Sequence, residues 1–80
     1  MPHITVKLWP GKSEDQKQRL TDAITRDVME ILKYTDKSIS VAIEEVRPQD
    51  WAQQVYRPEI ESDMERLYKK PGYNVEDLPK

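Results

Sequence analysis

His3-Ile4-Thr5-Val6-Lys7-Leu8-Trp9-Pro10-Gly11-Lys12-Ser13-Glu14-Asp15-Gln16 changes its periodicity halfway along, and that change decides the fold. Up to Trp9 the residues alternate, with Ile4, Val6 and Leu8 on one side and Thr5, Lys7 and Trp9 on the other. This is the period of a half-buried strand. Pro10-Gly11 interrupts it. Ser13, followed three residues later by Gln16, then has the form of a capping box with Ser13 as the N-cap. Glu14 and Asp15 add negative charge where a helix dipole favours it.

Past Gln16 the apolar residues Leu20, Ala23, Ile24, Val28, Ile31 and Leu32 recur at spacings of three and four, and Lys17, Arg19, Asp22, Arg26 and Glu30 take the other faces. The spacing predicts a helix from Ser13 to Tyr34. Thr35-Asp36-Lys37 breaks it. Residues 38–46 alternate again, with Ile39, Val41 and Ile43 opposed to Ser40, Ala42 and Glu44. Two strands joined by such a helix pair in parallel through a right-handed crossover. A two-stranded parallel sheet leaves one face and both edges to be covered by the last third of the chain or by another subunit.

In that last third Pro48 cannot sit in a central strand, so the chain turns there into a short helix through Tyr56. Pro58 suits a first helical position, and Ile60, Met64, Leu67 and Tyr68 follow at helical spacing before Pro71-Gly72. This predicts a second helix over residues 58–70. The tail, residues 73–80, is polar and has Val75 and Leu78 to anchor it. With no repeat and no linker, residues 1–80 read as a single α/β domain.

Composition excludes several kinds of function. The 80 residues hold 13 Lys and Arg against 15 Asp and Glu, for a formal charge of -2, so there is no basic field to hold nucleic acid or an acidic membrane surface. There is no cysteine, which removes disulfides, thiolate metal sites and thiol nucleophiles, and the one histidine is His3. No apolar run approaches a membrane span of about 20 residues, and the amino terminus has no signal-type apolar core. The chain therefore reads as cytoplasmic. A chain this short buries only about 60% of its unfolded surface, and 35% of these residues are charged, so self-association is expected on physical grounds.

With so little catalytic vocabulary, position becomes the main signal. Pro2 follows Met1, and a small second residue commonly permits removal of the methionine, which would leave Pro2 with a free secondary amine. Such an amine titrates at about 7.7–8.0, against about 10.4 for a lysine side chain. An apolar strand end and neighbouring cations would lower it further, making Pro2 a general base near neutral pH. Proline is about 5% of ordinary sequence, so the position taken alone favours chance.

Several residues in order are similar to one family. Pro2 heads a strand, Pro10-Gly11-Lys12-Ser13-Glu14-Asp15-Gln16-Lys17 opens the helix, Ser38-Ile39-Ser40-Val41 opens the second strand, and Trp51 follows. Together they resemble the oxalocrotonate tautomerase family. The continuation through Tyr56, Met64 to Leu67 and Lys69-Lys70-Pro71-Gly72-Tyr73 resembles its longer-chain dimeric bacterial subgroup. The resemblance implies a β-α-β tautomerase-like subunit with parallel strands, a long helix and a second C-terminal helix, its sheet completed by oligomerisation, a dimer rather than a hexamer.

It also implies a keto-enol tautomerase that needs no cofactor or metal and acts on a small 2-hydroxydienoate or an arylpyruvate-type acid. Pro2 matches the catalytic base. Lys12 stands where the family often has an arginine that binds a substrate carboxylate, and a lysine pairs there only as a point charge. Ser40 stands where a second arginine polarises the 2-oxygen, and a hydroxyl supplies one hydrogen bond without charge. Trp51 falls where an aromatic walls the pocket. Arg47 and Arg57 are possible additional cations, although solvated surface arginines are the simpler reading of both. His3, Trp9 and Tyr34 read as packing or interface residues, and Glu44-Glu45 as a charged strand end. Two other readings stay open: a proline-based hydratase or dehalogenase relative, and a catalytically weak member that binds or assembles.

Overall fold

The alternation at the amino terminus forms β1, His3–Leu8, and the second alternation forms β2, Ser40–Glu45. They pair in parallel, with His3 opposite Ser40, Ile4 opposite Val41, Val6 opposite Ile43 and Leu8 opposite Glu45. The computed structural model describes all 80 residues, as two compact units, Met1–Glu45 and Val46–Lys80.

In the first unit the strands are joined by α1, Glu14–Leu32. Ser13 caps it as expected: the Gln16 amide donates to Ser13 Oγ at 3.1 Å and the Ser13 amide donates to Gln16 Oε1 at 2.9 Å. An N-cap of this kind stabilises by about 1 kcal/mol. The helix stops two residues short of Tyr34. Lys33 turns left-handed at φ 63° and its amide donates back to Met29 O at 3.1 Å, which ends the helical hydrogen-bond ladder. A 3₁₀ turn, Asp36–Ser38, follows, with the Ser38 amide and hydroxyl both donating to the Thr35 carbonyl, at 3.1 and 3.0 Å. It delays β2 to Ser40, where the alternation alone had suggested residue 38.

Lys17, on α1, reaches Glu45 Oε2 at 2.8 Å. Glu45 is the register partner of Leu8, so the helix lies over the face of the sheet formed by Ile4, Val6, Leu8, Val41 and Ile43. The other face is polar and open: His3, Thr5, Ser40, Ala42 and Glu44 are all exposed. No residue of α1 is fully buried in the single chain, and Leu20, Ile31 and Leu32 are 43%, 72% and 55% exposed. Trp9 and Tyr34 are exposed as well, so neither belongs to a core of the single chain.

The second unit corrects the expected helix over residues 58–70. After Arg47, Pro48 occupies the first position of α2, Pro48–Trp51, and the chain continues as a π-helix through Ala52–Glu61. Pro58 therefore lies inside a helix. In an α-helix it would lack one amide donor and its ring would crowd the carbonyl four residues back. The wider π turn is the local form that takes it here, and the Ser62 amide donates to Arg57 O, five residues back, at 3.3 Å. Beyond Glu61 only a 3₁₀ turn, Met64–Arg66, remains of the expected helix.

The tail, in turn, is better anchored than its polarity suggests. Asn74 caps a last 3₁₀ turn, Val75–Asp77, Leu78 is buried, and the Tyr73 ring packs on Tyr56 with centroids 5.7 Å apart.

Candidate active site

Each strand of a parallel pair presents its first residues at the same end of the sheet, so Pro2, His3 and Ser40 come together although 37 residues separate His3 from Ser40. The Ser40 amide donates to the Pro2 carbonyl at 3.3 Å. The Ser40 hydroxyl lies 2.6 Å from His3 Nδ1, and the Thr5 hydroxyl lies 3.4 Å from His3 Nε2, a longer and weaker contact. Further along the same face Lys7 Nζ approaches Glu44 Oε2 at 3.8 Å.

Of the six residues expected at a site, two are thus brought together here, Pro2 and Ser40. His3, read from the sequence as a packing or interface residue, joins them. The missing information was the register. Nothing local to His3 says that Ser40 will stand opposite it, and counting both strands from the first residues of their alternation pairs His3 with Ser38 instead.

Lys12 belongs to the same unit and is exposed just beyond the Pro10-Gly11 turn. Gly11 has φ 121°, a conformation that side chains rarely adopt, so this turn requires glycine at that point. An added Cβ would meet no atom within 4 Å, which makes the requirement one of backbone conformation and not of space.

Trp51, Arg47 and Arg57 belong to the second unit. The Trp51 indole N–H donates to the Tyr73 hydroxyl at 2.9 Å. Arg47 Nε contacts Asp50 Oδ2 at 2.8 Å, and that hydrogen bond raises the guanidinium pKa further above its ordinary value. Arg47 is therefore already engaged by a carboxylate of its own turn. Arg57 lines a groove of about 460 Å³ with Gln49, Gln53, Val75 and Lys80. A groove of about 590 Å³ in the first unit runs along α1 past Arg26, Met29 and Tyr34, and its lining does not include Pro2, Lys12 or Ser40. In the polar cluster at the strand ends, His3 and Ser40 are exposed in the single chain and Pro2 is half-buried. No helix is long and apolar enough to cross a membrane.

Comparison with known proteins gives this cluster a context. The family model described as "Tautomerase enzyme" matches residues 2–59. A probable tautomerase of Xylella fastidiosa (strain 9a5c) is 49% identical over 73 residues, covering 91% of this chain and 89% of its own length. Tautomerase PptA of Cronobacter sakazakii is 40% identical over 76 residues, covering 94% of this chain and 100% of its own. Among solved structures, YwhB, a homologue of 4-oxalocrotonate tautomerase, matches at 35% identity with a TM-score of 0.58, over 60% of this chain and 79% of that one. Another such homologue, TTHB242, reaches a TM-score of 0.61 at 25% identity over 69% of this chain and 87% of that one. The parallel β-α-β unit is the fold of these neighbours. A match that runs from Pro2 into the second helix, with relatives aligned over nearly their whole length, makes this chain a member of the tautomerase family of isomerase-type enzymes.

Proposed function

We propose that the chain works as one tautomerase domain in which Pro2, freed by loss of Met1, is the general base that interconverts enol and keto forms of a small 2-hydroxydienoate or arylpyruvate-type acid. The observation that carries the reading is the 3.3 Å bond from the Ser40 amide to the Pro2 carbonyl. It ties the amine-bearing residue to a hydroxyl donor on the neighbouring strand, and strands of one sheet lie about 4.8 Å apart. An acid whose reacting carbon and 2-oxygen are a few ångströms apart spans that gap.

In the forward direction the Pro2 nitrogen takes the proton of the 2-hydroxyl. The O–H electrons form the carbonyl, the carbon-carbon double bond supplies the pair that bonds a proton at C3, and the prolinium returns that proton. The enzyme ends as it began. Ser40 donates to the 2-oxygen, Lys12 pairs with the substrate carboxylate, and Trp51 supplies an aromatic wall. Arg47 and Arg57 are reserve cations, and Arg47 is the weaker because it already holds Asp50. The step needs no cofactor and no metal.

We also propose that the working form is a cytoplasmic homodimer. What supports self-association is the exposure of Leu20, Ile31 and Leu32 on α1, together with a sheet of only two strands. Full burial of a leucine or isoleucine side chain stabilises by about 1.5–3 kcal/mol, so covering these three is a substantial driving force.

The test compares enol-to-ketone conversion of phenylpyruvate by the processed protein and by Pro2→Ala, after intact mass has shown Met1 to be absent from both. A fall in kcat of about 100-fold or more is expected for loss of a positioned base. Equal rates would remove Pro2 from the mechanism.

A further inference from the structure

Ser40 Oγ carries one proton and two lone pairs, so what it offers a ligand depends on what its other neighbours take. The neighbour here is His3. It is the register partner of Ser40, both residues are exposed, and Nδ1 stands 2.6 Å from Oγ. If Nδ1 is unprotonated, the serine proton is drawn into the imidazole and Oγ presents only lone pairs, which repel a carbonyl or enolate oxygen. If Nδ1 carries the proton, it fills one lone pair and the serine O–H is left to donate. The Thr5 hydroxyl, 3.4 Å from Nε2, can donate to a bare Nε2 or accept from Nε2–H, so it is compatible with either arrangement and the choice falls to the Ser40 side. The backbone is fixed independently, by the Ser40 amide on the Pro2 carbonyl. The next cross-strand pair on this face to carry charge is Lys7 with Glu44, at 3.8 Å.

We propose that His3 is a positioning residue for Ser40: its Nδ1–H donates to Ser40 Oγ and turns the serine proton outward, as the donor to the 2-oxygen of a 2-oxo or 2-hydroxy acid bound beside Pro2. This rests on the reading that the substrate sits at Pro2 and Ser40. An acceptor oxygen at Ser40 itself favours the tautomer that leaves the hydroxyl proton free, so ligand and imidazole orient the serine in the same sense. Thr5 contacts the far side of the ring.

The test replaces His3 with three residues of different reach. His3→Asn can place an amide N–H near the Nδ1 position, His3→Gln places it further out, near Nε2, and His3→Leu removes it. With phenylpyruvate, His3→Leu and His3→Gln are expected to lower kcat about 10-fold, less than the 100-fold or more that follows loss of a direct oxyanion donor. KM is expected to change little, and His3→Asn to stay within about 3-fold of wild type by the same donor logic. In a Ser40→Ala background His3→Leu is expected to cost nothing further, as for two residues acting through one contact. The same ranking, compressed to about 2–3-fold because a neutral carbonyl gains less than a developing enolate, is expected in affinity for benzoylformate, a 2-oxo acid with no hydrogen to enolise, measured in Pro2→Ala protein. Equal losses in His3→Asn and His3→Gln, or losses that multiply in the Ser40→Ala background, would overturn the proposal. Variants are compared at matched far-UV circular dichroism; if His3→Leu does not fold, the contrast between Asn and Gln decides alone. Benzoylformate affinity needs no base, so a Pro2→Ala enzyme with the wild-type rate would remove the general-base reading and leave the result on His3 standing.

Discussion

The indole nitrogen of Trp51 donates to the Tyr73 hydroxyl at 2.9 Å, and the Tyr73 ring at the same time packs on Tyr56 at a centroid distance of 5.7 Å. One tail residue thus holds both a candidate pocket aromatic and a buried residue of the π-helix. Tyr73→Phe keeps the ring contact and removes only the hydrogen bond. The expected cost is about 1 kcal/mol, read as a fall in thermal midpoint of about 4–8 °C for a domain of this size. A changed Trp51 emission should accompany it. An unchanged midpoint would mean that Tyr73 acts through its ring alone.

Lys33 ends α1 in a conformation that glycine adopts without penalty, φ 63°. A side chain there costs about 1 kcal/mol or more, part of which is returned because glycine makes the unfolded chain more flexible. Lys33→Gly is therefore expected to stabilise by about 0.5 kcal/mol, read as a higher urea midpoint at unchanged slope. A lower midpoint would show that the Lys33 side chain contributes more than its backbone conformation costs.

Lys17 joins helix to strand through Glu45 at 2.8 Å and bonds Glu14 at 3.0 Å. The hydrogen bond to Glu45 and then that to Glu14 raise its pKa above the ordinary 10.5. A raised folded-state pKa means that the stabilisation is fully present below the unfolded value and is lost as pH climbs through the folded one. The urea midpoint of Lys17→Met should accordingly lie below wild type near neutral pH. The gap should close above the ordinary lysine value and shrink with added salt, since the ammonium sits at the surface. A gap that does not change with pH would assign the effect to packing of the lysine stem.

Most of the first unit could be read from local pattern. β1, α1 and β2 follow from periods of two and 3.6, and the start of α1 from Ser13 and Gln16, because the forces that set them act between residues a few positions apart. What the sequence did not disclose depends on residues meeting across the chain or on unusual backbone. Lys33 ends the helix by a left-handed turn that a lysine does not advertise. Pro58 carries the signal of a helix start, yet lies within a helix whose wider turn accommodates it. Ser40 could be singled out as a donor, but its partner His3 required the register of the parallel pair, and Tyr73 required the fold of the tail.

The central claim is that the working base is the amine of Pro2, and Met1 is the natural control, because with Met1 attached that nitrogen is an amide and cannot take a proton near neutral pH. The measurement is phenylpyruvate tautomerisation by protein that retains Met1, before and after treatment with methionine aminopeptidase, with intact mass reporting the fraction processed. Activity that is negligible at first and rises in proportion to the processed fraction is the predicted result. Equal activity with Met1 present and absent would contradict it.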